Sequence, residues 1–330
     1  MMKNVLIIGN GAFGVAISQV LLNNKNCNVF MFSKNPEAAT NLLAGSHIAF
    51  PDTKLLAPHQ CYTDYKLAFE NKIDVIILCV PSIAINEIFS SIKPYLKKDM
   101  VIINTAKGLN PNNCSVWSEL FMKDNLINDY YLMVGPSFAS EIVQKNKTIV
   151  NIVGKNSTTM TNIEHLFNND YFKLVYFDDE YTASLVSSFK NSLALGLGLL
   201  SHYCSSINTQ AAYLIIGLNE IQALTAKITN CQKIRILDFY GVGDIYLTCT
   251  SDESRNYQFG VEIGKVGFKA ASEALNHQTV EGYRTLKLIK QYLDQYQIES
   301  VLFKTLYEIC YEDYPADEFV EKVWTRFNPF

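Results

Sequence analysis

The sequence predicts an α/β protein in which a doubly wound parallel sheet is followed by an all-α domain. Short, apolar, β-rich runs alternate with helical patterns over the first half of the chain, as in a parallel sheet covered by helices on both faces. After about residue 180 the pattern changes to long helix-compatible segments with few strands. We therefore place domains at 1–180 and 181–330, since a chain of 330 residues usually forms more than one core.

The predicted elements follow in order along the chain. The strand-like runs are 5–8, 29–32, 74–80, 100–104, 131–134 and 148–153, with 174–177 as a further candidate. The runs at 74–80 and 100–104 are apolar almost throughout, as strands buried on both faces should be. The helix-compatible segments of the second domain are 180–206, 209–229, 255–274 and 280–294.

Composition and charge exclude several kinds of protein. A net charge of −4 gives no general attraction to nucleic acid or to an anionic membrane surface. The apolar run 193–200 is much shorter than the roughly 18 residues of a membrane span, so we expect no membrane anchor. The eight cysteines form no C-x-x-C pair, and the five histidines have no metal-ligand spacing. We expect a cytoplasmic protein with reduced thiols and no metal site.

A glycine loop follows the first predicted strand directly. Gly9, Gly11 and Gly14 have the G-x-G-x-x-G spacing, and a helical pattern begins at Ala12 and Phe13. Such a loop allows a tight turn, a close approach of the backbone to a pyrophosphate, and tight packing of helix against strand. The sequence therefore predicts a Rossmann dinucleotide-binding domain, and with it an NAD(P)-dependent oxidoreductase.

The end of the second predicted strand bears on the choice of cofactor. NAD enzymes usually have an acid there, which binds the ribose 2′-hydroxyl. Here the strand leads into Ser33, Lys34 and Asn35, and Lys34 can pair with a 2′-phosphate. This favours NADPH over NADH, although a solvated surface lysine is a close alternative reading of Lys34.

Several further segments match one family in order and spacing. They are TAKGL at 105–109, GPSFASE at 135–141, FKN at 189–191, GVGD at 241–244, LTCT at 247–250, SRN at 254–256 and VEGY at 280–283. Together with the glycine loop they make the chain resemble the bacterial-type NAD(P)-dependent glycerol-3-phosphate dehydrogenases. The resemblance extends from the first strand to about residue 290.

The resemblance implies interconversion of dihydroxyacetone phosphate and sn-glycerol 3-phosphate for phospholipid synthesis, at a site in the cleft between the two domains. It implies Lys190 as the catalytic lysine. The implied cofactor positions are Ala12, Phe13, Lys34, Lys107, Ala139, Arg255, Thr279 and Glu281. The implied substrate positions are Lys107, Gly135, Ser137, Lys190, Asp244, Ser254, Arg255 and Asn256. Gln210 and Ile216 stand where many members have cations, which puts any auxiliary charge contact of that segment in doubt.

The residue chemistry supports several of these roles. Reduction of a ketone by hydride requires a cation that can also donate a proton, and Lys190 in an apolar segment can do both. Asp244, the only carboxylate in an apolar run, is its candidate partner, which would orient the lysine. The alternatives are a lysine with its head in water and an Asp bonded to its own turn.

Two other groups follow the same logic. Lys107 and the loop at Gly135 and Ser137 each follow a predicted strand, where ligands of open α/β sheets commonly bind. Ser254, Arg255 and Asn256 begin a predicted helix and would form a compact receptor for the substrate phosphate. Without the resemblance these groups would read as ordinary loop residues and as a capped helix start.

Two other functions remain open at this stage. One is a related two-domain dehydrogenase that acts on a 3-hydroxy acid or a sugar acid, which would not need the receptor at 254–256. The other is a nucleotide-binding sensor that has kept the fold and lost the chemistry, although the presence of Lys107, Lys190 and Asp244 argues against it. A homodimer is compatible with the sequence.

Overall fold

A computed structural model describes residues 2–110, 112–155, 158–231, 233–275 and 280–328. The chain divides into two compact units, which we call the sheet unit, Met1–Glu180, and the helical unit, Tyr181–Phe330. The sheet unit contains one sheet, whose strands are β1 (Lys3–Ile8), β2 (Cys27–Phe32), β3 (Gln60–Tyr62), β4 (Val75–Leu78), β5 (Val101–Asn104), β6 (Asp129–Val134), β7 (Thr148–Gly154) and β8 (Phe172–Phe177).

The strand order of the sheet is β3-β2-β1-β4-β5-β6-β7-β8. The neighbours from β3 to β6 run parallel, β7 runs antiparallel to β6, and β8 runs parallel to β7. The order reverses at β1, which is the switch point that defines a doubly wound sheet. The α/β prediction is confirmed, with an antiparallel step at β7 that the sequence pattern did not indicate.

The helices of the sheet unit cover this sheet. They are α1 (Ala12–Asn24), α2 (Pro36–Leu43), α3 (Tyr65–Phe69), α4 (Ile85–Ile92), α5 (Trp117–Met122), α6 (Ala139–Val143) and α7 (Thr158–Phe167). Strands β4 and β5 are buried at every position, because parallel strands with helices on both faces have no solvent side. Strand β3 was not predicted from the sequence, since it has only three residues, of which one is buried.

The helical unit consists of long helices, as predicted. They are α8 (Glu180–Tyr203), α9 (Ile207–Thr229), α10 (Asp244–Cys249), α11 (Arg255–Glu273), α12 (Glu281–Tyr296), α13 (Leu302–Tyr311) and α14 (Phe319–Arg326). The sequence pattern gave α8, α9, α11 and α12 to within a few residues but not the shorter α10, α13 and α14. No strand lies among the described residues of this unit.

Helix α8 is the central element of the helical unit. Its length and hydropathy would suffice for a membrane span, so the helix exceeds the short apolar run that the sequence suggested. However, 94% of its most apolar window is buried inside the structure, so its apolar surface is covered by the chain itself. Gly198 allows α11 to pack closely on it, since a Cβ there would overlap the carbonyl oxygen of Tyr257.

A buried carboxylate joins two helices of this unit. Glu220 on α9 accepts hydrogen bonds from the backbone amides of Val301, Leu302 and Phe303 at 2.7–3.2 Å, and from the Ser300 hydroxyl at 2.6 Å. Val301 is the N-cap of α13, and Leu302 and Phe303 are its first two residues, whose amides have no partner within the helix. Burial raises the pKa of Glu220, while the hydrogen bonds from Ser300 and the three amides oppose the rise.

Candidate active site

The glycine loop has the geometry that its spacing predicts. Gly9 follows β1 with φ +115°, a conformation that favours glycine, and a Cβ there would overlap the carbonyl oxygen of Cys79. A Cβ at Gly14 would overlap the carbonyl oxygen of Gly9 and lie 3.2 Å from the Cys79 Cβ. Both glycines are therefore required for the packing of α1 against β1 and the turn after β4.

Gly11 differs from the other two glycines. It is the N-cap of α1, and a Cβ placed on it would meet no atom of the described structure within 4 Å. The first turn of α1, which begins with Ala12 and Phe13, carries no acid. The start of a helix is positively polarised, and the open space in front of it can accept an anionic pyrophosphate. The geometry of the loop therefore fits a dinucleotide-binding site.

The other predicted residues of the sheet unit lie at the same edge of the sheet. Strands β2, β1, β4, β5 and β6 are parallel neighbours, so their carboxyl ends share one edge. Lys34 follows β2 and is exposed, whereas Lys107 follows β5 and is half-buried. Gly135 follows β6 with φ +149°. This edge is where ligands of open α/β sheets bind.

The loop after β6 is internally bonded. The Ser137 hydroxyl donates to the Gly135 carbonyl at 2.9 Å, so in this structure it stabilises the turn. A Cβ on Gly135 would lie 2.9 Å from the Val150 Cα, which makes glycine the suitable residue there. Ala139 begins α6 and packs on the core of the sheet unit, beside α1.

His47 also lies near this edge, although no motif of the sequence includes it. His47 Nε2 lies 2.8 Å from the carbonyl oxygen of Asn10, inside the glycine loop. The Ala49 amide donates to His47 Nδ1 at 3.1 Å, so Nε2 carries the proton and donates to Asn10. His47 thus connects the segment after α2 to the glycine loop, 37 residues away in sequence.

The helical unit contains a buried ion pair at the predicted catalytic lysine. Lys190 Nζ lies 2.5 Å from Asp244 Oδ2, and each side chain is 1% exposed. Lys190 Nζ also donates to the Thr248 hydroxyl at 2.9 Å, and that hydroxyl donates to the Asp244 carbonyl at 2.6 Å. The proposed partnership of Lys190 and Asp244 is thus present, and the reading of Lys190 with its head in water is wrong.

Thr248 belongs to the LTCT motif at 247–250, but the motif alone does not predict its contact with Lys190. It lies on the same short helix as Asp244, one turn further along, so α10 presents both oxygens to the ammonium. Cys249 is the next residue. Burial raises the pKa of its thiol well above the ordinary value, so the thiol stays neutral beside this pair.

The residues after Lys190 hold the start of α12. Asn191 Nδ2 donates to Glu281 Oε2 at 3.1 Å, and the Ser192 hydroxyl donates to the Gly282 carbonyl at 2.6 Å. The Gly282 amide in turn donates to Asn256 Oδ1 at 2.8 Å. Glu281 and Asn256, two predicted site residues, are thereby fixed near the helix that carries Lys190.

The predicted phosphate receptor is at a helix start. Ser254 is the buried N-cap of α11 and accepts a hydrogen bond from the Tyr257 amide at 3.3 Å, so it stabilises the helix in its capping role. Arg255 is exposed and lines a cavity of about 380 Å³, together with Asp252, Lys265 and Val280. Thr279, the remaining predicted cofactor residue, lies outside the described residues.

Together, the glycine loop at a sheet switch point and the buried lysine with its carboxylate define a class of protein, the NAD(P)-dependent dehydrogenases with a Rossmann sheet and a helical domain. Comparisons with known proteins narrow the class. Residues 4–160 match the N-terminal model of the NAD-dependent glycerol-3-phosphate dehydrogenases, and residues 179–321 match the C-terminal model. The chain belongs to this family.

Individual relatives agree with the family assignment. The chain is 32% identical to a glycerol-3-phosphate dehydrogenase (NAD(P)+) of Malacoplasma penetrans, over 98% of this chain and 97% of the relative. It is 33% identical to one of Mycoplasma mobile, over 98% and 97% of the two chains. A crystal structure of glycerol-3-phosphate dehydrogenase from Coxiella burnetii has a TM-score of 0.86 at 24% identity, covering 98% of this chain and 99% of that chain. At that identity the structural likeness shows the fold alone.

Proposed function

We propose that the chain catalyses the NAD(P)H-dependent reduction of dihydroxyacetone phosphate to sn-glycerol 3-phosphate and the reverse oxidation, for glycerophospholipid synthesis. The observation that carries the proposal is the buried contact of Lys190 with Asp244 and Thr248 in a chain of this family. An ammonium group that a buried counter-charge holds in place can donate the proton that ketone reduction requires.

The sheet unit would hold the cofactor. The pyrophosphate would lie over the open face of Gly11, against the first amides of α1 at Ala12 and Phe13. Lys34 would face the ribose 2′ position, and Ala139 lies at the same edge of the sheet. Glu281, Arg255 and Thr279 are the further residues that we propose for cofactor binding. When bound, a reduced nicotinamide supplies the hydride.

Lys190 would hold the proton for the substrate carbonyl oxygen at Nζ. Negative charge grows on that oxygen during reduction, and an ammonium group both stabilises the charge and donates the proton. Asp244 stabilises the ammonium group and orients it. Thr248 accepts a second hydrogen bond from Nζ, which further restricts the orientation of the ammonium group. In the oxidation direction the neutral amine would accept the alcohol proton. Lys107, Gly135 and Ser137 are the further residues that we propose for substrate binding.

The substrate phosphate would bind at the start of α11. Arg255 is exposed there and offers a forked cation, and Ser254 and Asn256 are the neighbouring predicted donors. The Asn256 oxygen already accepts from Gly282, so its amide nitrogen is the end that can donate to a phosphate. We further propose that the protein acts in the cytoplasm, in keeping with its eight free cysteines. A homodimer stays a prediction.

One assay tests the proposal. Oxidation of NADPH and of NADH is followed by absorbance, with dihydroxyacetone phosphate and, separately, with unphosphorylated dihydroxyacetone. We expect turnover with the phosphorylated ketone only. Replacement Lys190→Ala should lower kcat by about 10²–10⁴-fold, the usual contribution of a general acid. Absence of oxidation by the folded protein would favour the nucleotide-binding sensor.

Arg255→Ala tests the phosphate site separately. We expect the KM for dihydroxyacetone phosphate to rise about tenfold or more, because a hydrogen bond to a charged group contributes about 1.5–3 kcal/mol. Arg326→Ala is the matched control, since Arg326 is an exposed arginine at the end of α14. An unchanged KM in the Arg255 variant would remove this residue from the phosphate site.

A further inference from the structure

An acid lies beside Lys34 in space, although none directly follows β2 in sequence. Glu87, in the first turn of α4, places Oε1 2.6 Å from Lys34 Nζ, and the two side chains are 69% and 68% exposed. We propose that Glu87 is a specificity-determining residue for the cofactor, which weakens binding of a ribose 2′-phosphate and favours a free 2′-hydroxyl. This inference rests on the proposed function, since it concerns the cofactor site of that reaction.

An electrostatic effect on Tyr65 also places Glu87 near the end of β2. Phe32, the last residue of β2, stacks on Tyr65 with ring centroids 3.8 Å apart and planes 7° apart. Burial, with the negative charge of Glu87 as the second cause, raises the pKa of Tyr65 to about 12. Glu87 is therefore close enough to the end of β2 for its charge to act on Tyr65, in addition to its ion pair with Lys34.

The location gives the carboxylate a chemical role. In NAD enzymes an acid at the end of β2 accepts a hydrogen bond from the ribose 2′-hydroxyl. Glu87 brings the same group to that place from α4, where its side chain already reaches Lys34. A 2′-phosphate would meet the negative charge of Glu87 and would compete with it for Lys34. A 2′-hydroxyl would find an acceptor in Glu87 and would not need Lys34.

The pair therefore acts in two directions. Lys34 alone favours NADPH, as the sequence suggested, and Glu87 opposes that preference. Because both groups are exposed to solvent, the effect of either charge is moderate and is weakened by salt. The expected result is a site that binds NADPH and NADH with similar affinity, in which removal of one charge shifts the balance towards one cofactor.

The test measures binding of NADPH and NADH separately, in the absence of substrate, by the fluorescence of the reduced nicotinamide. Glu87→Gln should lower the Kd for NADPH about fivefold to tenfold, the scale of one charge contact near a protein surface. The same variant should leave the Kd for NADH unchanged or raise it. Lys34→Met should raise the Kd for NADPH and leave that for NADH nearly unchanged.

Glu119→Gln is the matched control, because Glu119 is an exposed acid on α5 whose replacement changes the net charge equally. It should shift neither Kd, and the NADPH gain of Glu87→Gln should diminish at high salt. Equal shifts for both cofactors, or no shift in the Glu87 variant, would overturn the proposal.

The outcome is separable from that of the proposed function. Binding of both cofactors without turnover of dihydroxyacetone phosphate would overturn the substrate assignment and leave the role of Glu87 measurable. Binding of neither cofactor by the unaltered chain would overturn both proposals. Circular dichroism of each variant shows whether a lost affinity has its origin in lost folding.

Discussion

The two units present their candidate functional groups in opposite ways. In the sheet unit the candidate cofactor site consists largely of main chain at the carboxyl ends of strands, and two of its charged side chains, Lys34 and Glu87, are about two-thirds exposed. In the helical unit the candidate catalytic groups are side chains, and Lys190 and Asp244 are each 1% exposed. The candidate site of the sheet unit needs a residue without a side chain at Gly11, so that a ligand can approach the backbone. The candidate site of the helical unit needs a buried pair of opposite charges.

This difference determines how function and stability are coupled. Exposed charges can be exchanged at little cost to folding, because water replaces each lost partner. A buried charge that loses its partner has no such replacement, so a catalytic variant in the helical unit is also a stability variant. The comparison therefore predicts that the same kind of substitution has different consequences in the two units.

The largest expected effect is at the buried pair. Lys190→Met leaves the Asp244 carboxylate buried without its counter-charge, and we expect the free energy of unfolding to fall by about 3–5 kcal/mol. Lys34→Met, the matched control in the sheet unit, should change it by about 1 kcal/mol or less, because that pair is exposed. Urea unfolding followed by far-ultraviolet circular dichroism measures both variants.

Asp244→Asn in the Lys190→Met background completes this experiment. The double variant has no buried charge at this site, so most of the lost stability should return while activity stays absent. If the single Lys190 variant is as stable as the unaltered chain, the pair is not a structural element and the contrast between the units fails.

The second prediction separates two glycines of one loop. Gly9→Ala forces a Cβ into the Cys79 carbonyl at φ +115°, so we expect poor folding of the sheet unit. Gly11→Ala places a Cβ in open space, so unfolding should be unchanged while the Kd for NADPH rises about tenfold, equivalent to roughly 1.4 kcal/mol. Fluorescence titration and thermal unfolding measure the two effects.

The opposite result would be informative as well. An intact affinity in Gly11→Ala would mean that the cofactor does not approach the backbone there, which contradicts the assigned pyrophosphate position. Stability equal to that of the unaltered chain in Gly9→Ala would mean that the turn can relax, so that only Gly14 restricts the packing of α1.

The same contrast explains what could be predicted from the sequence. The glycine loop and the buried strands β4 and β5 are local patterns, so position and spacing suffice to find them. The direction of β7 depends on the path of the connection between β6 and β7, and the local pattern of apolar residues does not predict that path. In the helical unit the motifs identified Lys190 and Asp244 as candidate site residues. The two are 54 positions apart in the sequence, so only the tertiary structure shows their contact.

The surroundings of three residues could not be predicted from their neighbours in the sequence. Glu87 contacts Lys34 although the two residues are 53 positions apart in the sequence. The residues that directly follow β2 therefore did not indicate that an acid lies beside Lys34. Glu220 caps α13 from a helix about 80 residues earlier, so it gave no signal as a cap. Ile216 is 5% exposed on α9, and an apolar residue suits that buried position.

The smallest expected effect concerns His47, the side chain that connects the segment after α2 to the glycine loop. His47→Ala removes the hydrogen bond from His47 to the Asn10 carbonyl, which holds the glycine loop in place. One such bond contributes about 0.5–1.5 kcal/mol, so the Kd for NADPH and for NADH should each rise about threefold to tenfold. The ratio of the two should stay constant, unlike in the Glu87 variant.

His59→Ala is the matched control for this last prediction. His59 also binds main chain of the sheet unit, since its Nδ1 accepts from the Val29 amide at 3.1 Å, but that contact is on the early part of β2 and away from the loop. It should leave both affinities unchanged, and His47→Gln, which keeps a donor, should recover part of the loss. Equal losses in the His47 and His59 variants would mean that His47 supports the sheet unit in general. In that case no histidine side chain would specifically stabilise the glycine loop. The candidate cofactor site would then depend on main chain even more than the structure indicates, whereas the candidate catalytic site depends on side chains.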